Sequence, residues 1–270
     1  MRQISTAIIL ILISVSLAGC SLIENQTKVR DRLVGIMSRA DQELKRKNYD
    51  EAIRLYDSAL KLSPNEPTCM SARALAYRIR GAEHYNASIK LEPTEREKAM
   101  ESARRDMLKA AEDANSAVNI LKNSPYIKFY DTLTKEDHFL YSAAIRADCL
   151  AVVATVVDKN RAEEALQAAH EYIDADTIPD RIKASRLAAG KMLLNTQNGD
   201  KALIEYKTVL DQEPDNIEAL LGVGLSLSQS GDSEKFQEAK KYLKRFIELA
   251  PDDHPMKADV LNTLKYSESK

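Results

Sequence analysis

The sequence has few of the residues that interrupt helices. Tryptophan is absent from its 270 residues, and glycine and proline number only 8 each. A composition rich in alanine, leucine, lysine and glutamate favours helix throughout the chain. The composition therefore predicts an all-α fold.

The sequence also lacks an excess of charge of either sign. Lysine and arginine number 39 and aspartate and glutamate 41, for a net charge of -2. Because no basic excess is present, we expect no nucleic-acid partner. The two signs alternate along the predicted helices, which indicates a solvated outer face.

Motifs of catalysis are missing as well. The sequence has no glycine-rich phosphate loop and no nucleophile elbow. The four histidines are far apart, and we expect them on the surface or in a groove: His84, His138, His170 and His254. The carboxylates are expected on exposed helical faces, without a catalytic couple. The sequence thus predicts no enzyme, no metal site and no cofactor. For Cys69 and Cys149, buried thiols and a disulfide both remain open.

Three stretches of the chain share one spacing of residues. One is Leu33–Pro64, and the other two lie end to end in Lys183–Pro251. Each copy has a small residue, then an alanine, an aromatic or apolar residue four later, another apolar residue and a proline. In order, these are Ala40, Ala52, Tyr56, Ala59 and Pro64; Gly190, Ala202, Tyr206, Val209 and Pro214; and Gly224, Ala239, Leu243, Phe246 and Pro251.

The spacing has a mechanical interpretation. The small residue and the alanine are expected to face each other where two helices cross, and the residue four later fills the gap beside them. The proline ends the second helix. The three copies resemble the tetratricopeptide repeat (TPR), whose period is ~34 residues.

The TPR resemblance implies a right-handed α-solenoid of TPR-like helical hairpins over residues 31–266. Regular repeats are expected near 33–66, 183–216 and 217–253, with enlarged, irregular hairpins over 65–174. A helix over 255–266 would cap the array. Residues 65–92 are either one long helix, which their unbroken helical phase favours, or a shortened repeat that turns at Gly81. Capping boxes are predicted at Thr94–Glu97 and, with aspartate as the last residue, at Thr134–Asp137.

Two sets of residues are candidates for partner binding. In TPR proteins the first helix of each hairpin lines the binding side, which implies Met37, Asp41, Leu44, Lys45, Leu187, Lys191, Leu194, Asn195, Leu221, Leu225, Ser228 and Gln229. Such mixed polar and apolar positions suit an extended peptide or a helix. Aromatic residues in the loop 123–133 either grip a ligand or close the core: Tyr126, Phe129 and Tyr130.

The N-terminus resembles an export signal. Arg2 precedes the apolar run Ala7–Leu17, and small residues then lead to Cys20. The ending Leu17-Ala18-Gly19-Cys20 is similar to the lipobox of bacterial lipoproteins, which implies a signal peptide over 1–20, acylation of Cys20 and a tether over 21–30. The alternative is an uncleaved transmembrane helix over Gln3–Ile23. Since Ser21 follows the cysteine, the resemblance implies the periplasmic face of an outer membrane.

These features together predict a non-enzymatic scaffold or adaptor, anchored to the membrane, that binds a protein of the bacterial cell envelope. The alternative is an accessory subunit of a periplasmic solute-uptake system that binds a small ligand or a transporter component.

Overall fold

A computed structural model describes residues 27–268 except 126, 128 and 130. The predicted signal peptide over 1–20, with Cys20, lies outside the described residues. So do residues 21–26 of the predicted tether, Tyr126 and Tyr130.

The described part of the chain forms α-helices and no strand. The helices are α1 (27–45), α2 (Tyr49–Leu62), α3 (Pro67–Ser88), α4 (Pro93–Asn123), α5 (Lys135–Val152), α6 (Ala162–Ala175), α7 (Pro179–Asn195), α8 (Gly199–Gln212), α9 (Ile217–Ser228), α10 (Ser233–Leu249) and α11 (Lys257–Glu268). A π-helical turn, Val153–Val157, extends α5, and a 3₁₀ turn, Lys159–Arg161, leads into α6. The predicted all-α class is confirmed.

The helices stack in chain order. From α2 to α11 each helix packs against the next, and α3, α5, α7 and α9 also contact one another in series. The first helices of successive hairpins are therefore neighbours, as in a solenoid of helical pairs. The most extensive contact joins α3 to α4.

Helix α3 settles the alternative over residues 65–92. It continues unbroken through Gly81, so the one-helix interpretation is confirmed. A Cβ atom at Gly81 would lie 3.1 Å from Asp106 Cβ and 3.2 Å from the carbonyl oxygen of Ala103. The glycine thus allows close approach of α4 and does not form a turn.

The small residues of the repeats face larger partners than alanine. At Gly190, the atoms nearest to an added Cβ belong to the ring of Tyr206, the closest at 2.8 Å. The same ring would lie still closer to a Cβ at Gly222. In the next repeat Leu243 meets Gly224. In the two repeats with glycine, the aromatic or apolar residue therefore occupies the contact itself, and the prediction that it fills the gap beside the contact is wrong for them, because glycine leaves room for a whole ring or isobutyl group.

Two rows of charged side chains join α2, α3 and α4. Each row has an arginine of α3 between an aspartate of α2 and an aspartate of α4. The rows are Asp57–Arg73–Asp113 and Asp50–Arg80–Asp106, with ion-pair distances of 2.5 to 2.7 Å. On all three helices the two members are seven residues apart, about two helical turns, and so share a face. Asp106 is only 5% exposed, and Glu66, Asp176 and Glu205 are also buried, so the prediction that the carboxylates lie on exposed faces is wrong for these four.

The predicted helix starts were only partly correct. At Thr134 the capping box is confirmed, because its hydroxyl accepts from Asp137 N and the Asp137 carboxylate accepts from Thr134 N. The box at Thr94 is wrong, since α4 begins at Pro93 and Glu92 is its N-cap. Proline suits the first helical position because its missing N–H needs no partner there. Helix α1 begins at residue 27, so residues 27–30 of the predicted tether are helical.

Among the described helices, one is long and apolar enough to cross a membrane by length and composition alone, namely α5 with its π-helical extension. Core helices of soluble proteins meet the same criteria. This helix packs against α3, α4, α6 and α7, and two of its charged residues bind side chains of neighbouring helices. Arg146 Nε donates to Asn115 at 2.8 Å, and Asp148 binds Arg78 at 2.5 Å. Its apolar character is that of a central helix of the stack.

Candidate functional site

Helices α7 and α9 line a groove of about 730 Å³. The groove brings together every candidate residue that the sequence analysis placed in the last two repeats. They are Leu187, Lys191, Leu194, Asn195, Leu221, Leu225, Ser228 and Gln229. Their role in binding stays a prediction.

Local geometry explains why these positions meet. Leu187, Lys191 and Asn195 are four residues apart and lie on one face of α7. The equivalent face of α9 carries Leu221 and Leu225, each one repeat period of ~34 residues later. At the ends of both helices, Gln229 Nε2 donates to the carbonyl oxygen of Leu194 at 3.1 Å.

The groove is mainly apolar and has a glycine in its wall. Gly222 and Tyr206 line it beside the leucines, and Met256 contributes from the segment before α11. Tyr206 is buried, and this burial raises its pKa, with a further contribution from the nearby carboxylate of Glu218. The Tyr206 phenol is therefore neutral at physiological pH.

The groove continues into a more open depression between the α8–α9 and α10–α11 connections. Leu187 and Glu218 line both parts. In the open part, Glu213 binds Lys183 at 2.7 Å, and Asp215, which also lines it, binds Arg245 at 2.9 Å. These two carboxylates are thus neutralised within the protein.

The N-terminal candidates line a different groove of about 350 Å³. It contains Met37, Asp41 and Lys45 of α1, together with Thr68 and Asp131. Asp41 is held in place by Tyr56, whose hydroxyl donates to it at 2.6 Å. Leu44 does not line this groove and, like Met37, packs against the main hydrophobic core. The two candidate sets therefore form two separate surfaces.

A polar cluster around the buried His138 adjoins this N-terminal groove. Thr68 Oγ1 lies 3.2 Å from His138 Nδ1, and His138 Nε2 lies 2.9 Å from Asp131 Oδ1. His138 is 3% exposed, so its prediction as a surface or groove residue is wrong. Phe129 stacks on its ring with centroids 4.0 Å apart, as expected if the loop aromatics close the core. The single histidine carries no motif that would have revealed this cluster from sequence.

Glu66 is the unusual carboxylate of this region. It is 4% exposed, and its Oε1 atom has no hydrogen-bond partner among the described residues. Burial raises its pKa to about 7, against the opposing effect of hydrogen bonds from Thr68. In the folded protein, Glu66 therefore remains protonated at pH values well above the usual pKa of a glutamate.

The remaining reactive side chains do not assemble a chemical site in the described ranges. No group of three His, Cys, Asp or Glu residues there could hold a metal ion. Cys69 and Cys149 are both free and buried, which resolves the alternative in favour of thiols. Burial raises the pKa of Cys69 to about 12 and also raises that of Cys149.

Comparison with known proteins defines the fold class. No family model matches the sequence, and no curated protein matches it significantly. Solved structures do match. The crystal structure of MamA protein has a TM-score of 0.51 at 20% identity, covering 80% of this chain and 90% of that one. YrrB, described as a TPR protein with an unusual peptide-binding site, has a TM-score of 0.52 at 17% identity, covering 85% and 90%. The fold is that of a TPR-like α-solenoid.

Proposed function

We propose that this protein is a non-enzymatic scaffold that binds a peptide segment of a partner protein in the groove between α7 and α9. The observation that carries the proposal is the groove itself. Its size is within the ~300–1,000 Å³ of typical binding pockets, and apolar side chains alternate there with a few polar ones. Such a surface suits an apolar segment whose backbone or end groups contact the amides of Asn195 and Gln229.

The similarity to YrrB supports this proposal at the level of the fold. That protein is described as having a peptide-binding site, and this chain shares its arrangement of helical hairpins.

Selection of peptides from a displayed library on the purified protein tests the proposal. We expect enriched peptides to bind saturably and to lose at least about tenfold in affinity, ~1.4 kcal/mol, when Leu225→Glu places a charge in the groove. Ile204→Glu is the matched control, because Ile204 is exposed on α8 and does not line the groove. Equal binding to both variants would place the peptide elsewhere, and no saturable binding would refute the proposal.

We further propose that the scaffold is anchored through acylated Cys20 and faces the periplasm from a bacterial outer membrane. The apolar run and the sequence Leu17-Ala18-Gly19-Cys20 support this. Lipid chains contribute ~0.8 kcal/mol per buried methylene, so two or more hold a protein stably. Cys20→Ala should abolish incorporation of a labelled fatty acid and remove the protein from the outer-membrane fraction. Unchanged partition would refute the anchor.

A second candidate function is small-ligand binding, as in an accessory subunit of solute uptake. It is favoured by a cleft of about 280 Å³ among α5, α6 and α7, lined mostly by alanines with Tyr172 and Arg181 at its edge. A thermal-shift screen with organic acids distinguishes the two. Saturable stabilisation that Arg181→Ala removes would support this candidate, and no shift would reject it.

A further inference from the structure

Two charged side chains in the α7–α9 groove lack a counter-charge. Lys191 of α7 and Glu218 of α9 are exposed and line the groove. In the part of the chain that the structure describes, neither forms a hydrogen bond or an ion pair. Their neighbours Glu213 and Asp215 do form ion pairs, so Lys191 and Glu218 differ from them in having no counter-charge among the described residues.

The two charges lie at different levels of the groove. Lys191 is at the level of Leu225, its equivalent one repeat later, while Glu218 comes seven residues before Leu225 on α9. Seven residues of helix span ~10 Å. Leu187 and Leu221 lie between the two levels. The groove thus has a negative end and a positive end, separated by leucines.

We infer that the groove selects a partner segment with apolar residues between a cationic side chain at the Glu218 end and an anionic side chain at the Lys191 end. This inference rests on the proposed peptide binding. A purely apolar segment would desolvate both charges without compensation, which is unfavourable. Complementary charges avoid that cost and fix the direction of the segment. In an extended chain, side chains four residues apart point the same way and lie ~13 Å apart, so two charged residues with three residues between them reach both levels of the groove.

Short capped peptides with three leucines between two charged ends test the inference by fluorescence polarisation. One set carries a lysine and a glutamate, in both orders because either chain direction is allowed. Others carry two lysines, two glutamates or two glutamines. The protein should bind the better of the mixed peptides most tightly. Because the charges are exposed, we expect a gain of ~1.5- to 5-fold per matched end, decreasing as salt is added.

Charge reversal gives the decisive comparison. Glu218→Lys leaves two cations in the groove and should make the two-glutamate peptide the tightest, whereas Lys191→Glu should favour the two-lysine peptide. Glu101→Lys on α4 and Lys241→Glu on α10 make the same changes outside the groove and should leave the order unchanged.

The outcomes separate the inference from the proposal on which it rests. If all peptides bind alike to every variant, the selection by charge is overturned and peptide binding stands. The selection by charge is also overturned if the control variants change the order of the peptide affinities as the groove variants do. If no peptide binds, including the two-glutamine one, both are overturned.

Discussion

Arg80 of α3 holds Asp106 of α4 through two side-by-side hydrogen bonds, 2.7 Å from Nε and 2.6 Å from Nη2. Arg80 also binds Asp50, whose side chain is 85% exposed, against 7% for that of Asp106. We expect Asp106→Ala to lower the free energy of unfolding by about 2–3 kcal/mol, because a largely buried guanidinium loses its paired acceptor. Asp50→Ala should cost less than about 1 kcal/mol. Urea denaturation measures both, and equal losses would contradict the difference in burial.

Gly222 is expected to be intolerant of a side chain. A Cβ there would clash with the ring of Tyr206, which is itself packed against Gly190. Overpacking of this kind should make Gly222→Ala destabilising by about 1–3 kcal/mol in thermal or urea unfolding. Gly35→Ala is the control, since nothing lies within 4 Å of its added Cβ and the helix should gain up to about 1 kcal/mol. A neutral Gly222→Ala would show that Tyr206 can move aside.

Glu66 should make stability depend on pH. Its pKa is raised from 4.5 to about 7, so the folded state binds this proton more tightly than the unfolded state does. The stabilisation is complete below pH ~4.5 and is lost as pH rises through 7, with a slope of up to ~1.4 kcal/mol per pH unit. Glu66→Gln removes this titration. The free energy of unfolding of the variant should therefore rise relative to that of the parent protein as the pH increases from 5 to 8. Urea unfolding at several pH values tests this, with exposed Glu101→Gln as the control, and parallel curves for parent and Glu66→Gln would refute it.

Two turns hold a non-glycine residue in the left-handed region, at φ 63° for Lys47 and 64° for Gln197. The turn after α1 is a Schellman motif, in which Asn48 N donates to Glu43 O and Lys47 N to Leu44 O. Lys47→Gly should raise the free energy of unfolding by about 0.5–1 kcal/mol, because glycine adopts this φ without a Cβ clash. Gln42→Gly inside α1 should lower it by about 1 kcal/mol. Calorimetric melting compares them, and a loss for both would indicate that chain entropy outweighs strain at the turn.

The positions on α7 and α9 could be predicted from sequence because the TPR resemblance implies which helix face is the binding side, and the repeat spacing then gives the equivalent residues. Residues four apart share a helix face, and a fixed period places Leu187 beside Leu221 and Lys191 beside Leu225. Neither relation depends on distant parts of the chain. The same reasoning predicted the Thr134–Asp137 cap, which is a local arrangement.

The polar clusters could not be predicted in this way, because they depend on which helices become neighbours. Arg73 and Asp113 look like ordinary surface charges until α3 and α4 are placed together. His138 is enclosed by residues from α3 and from the loop before α5, and its single position carries no signal. One pattern was visible in the sequence: each of three successive helices has two like charges seven residues apart, and the sign of the charge alternates from helix to helix. The capping box predicted at Thr94 was wrong for a different reason. Pro93 and Thr94 are both typical of a helix N-terminus, and α4 begins at Pro93.

The length of α3 and α4 also bears on where the molecule can adjust. In an array of equal repeats, opening can begin at any unit. Here the most extensive contact and both rows of ion pairs lie in α2–α4, so we expect amide exchange with solvent to be slowest there and faster towards α9–α11. A segment docked between α7 and α9 would then bind where local opening of the helices is easier. The more stable helices α2–α4 would keep the arrangement of the stack unchanged.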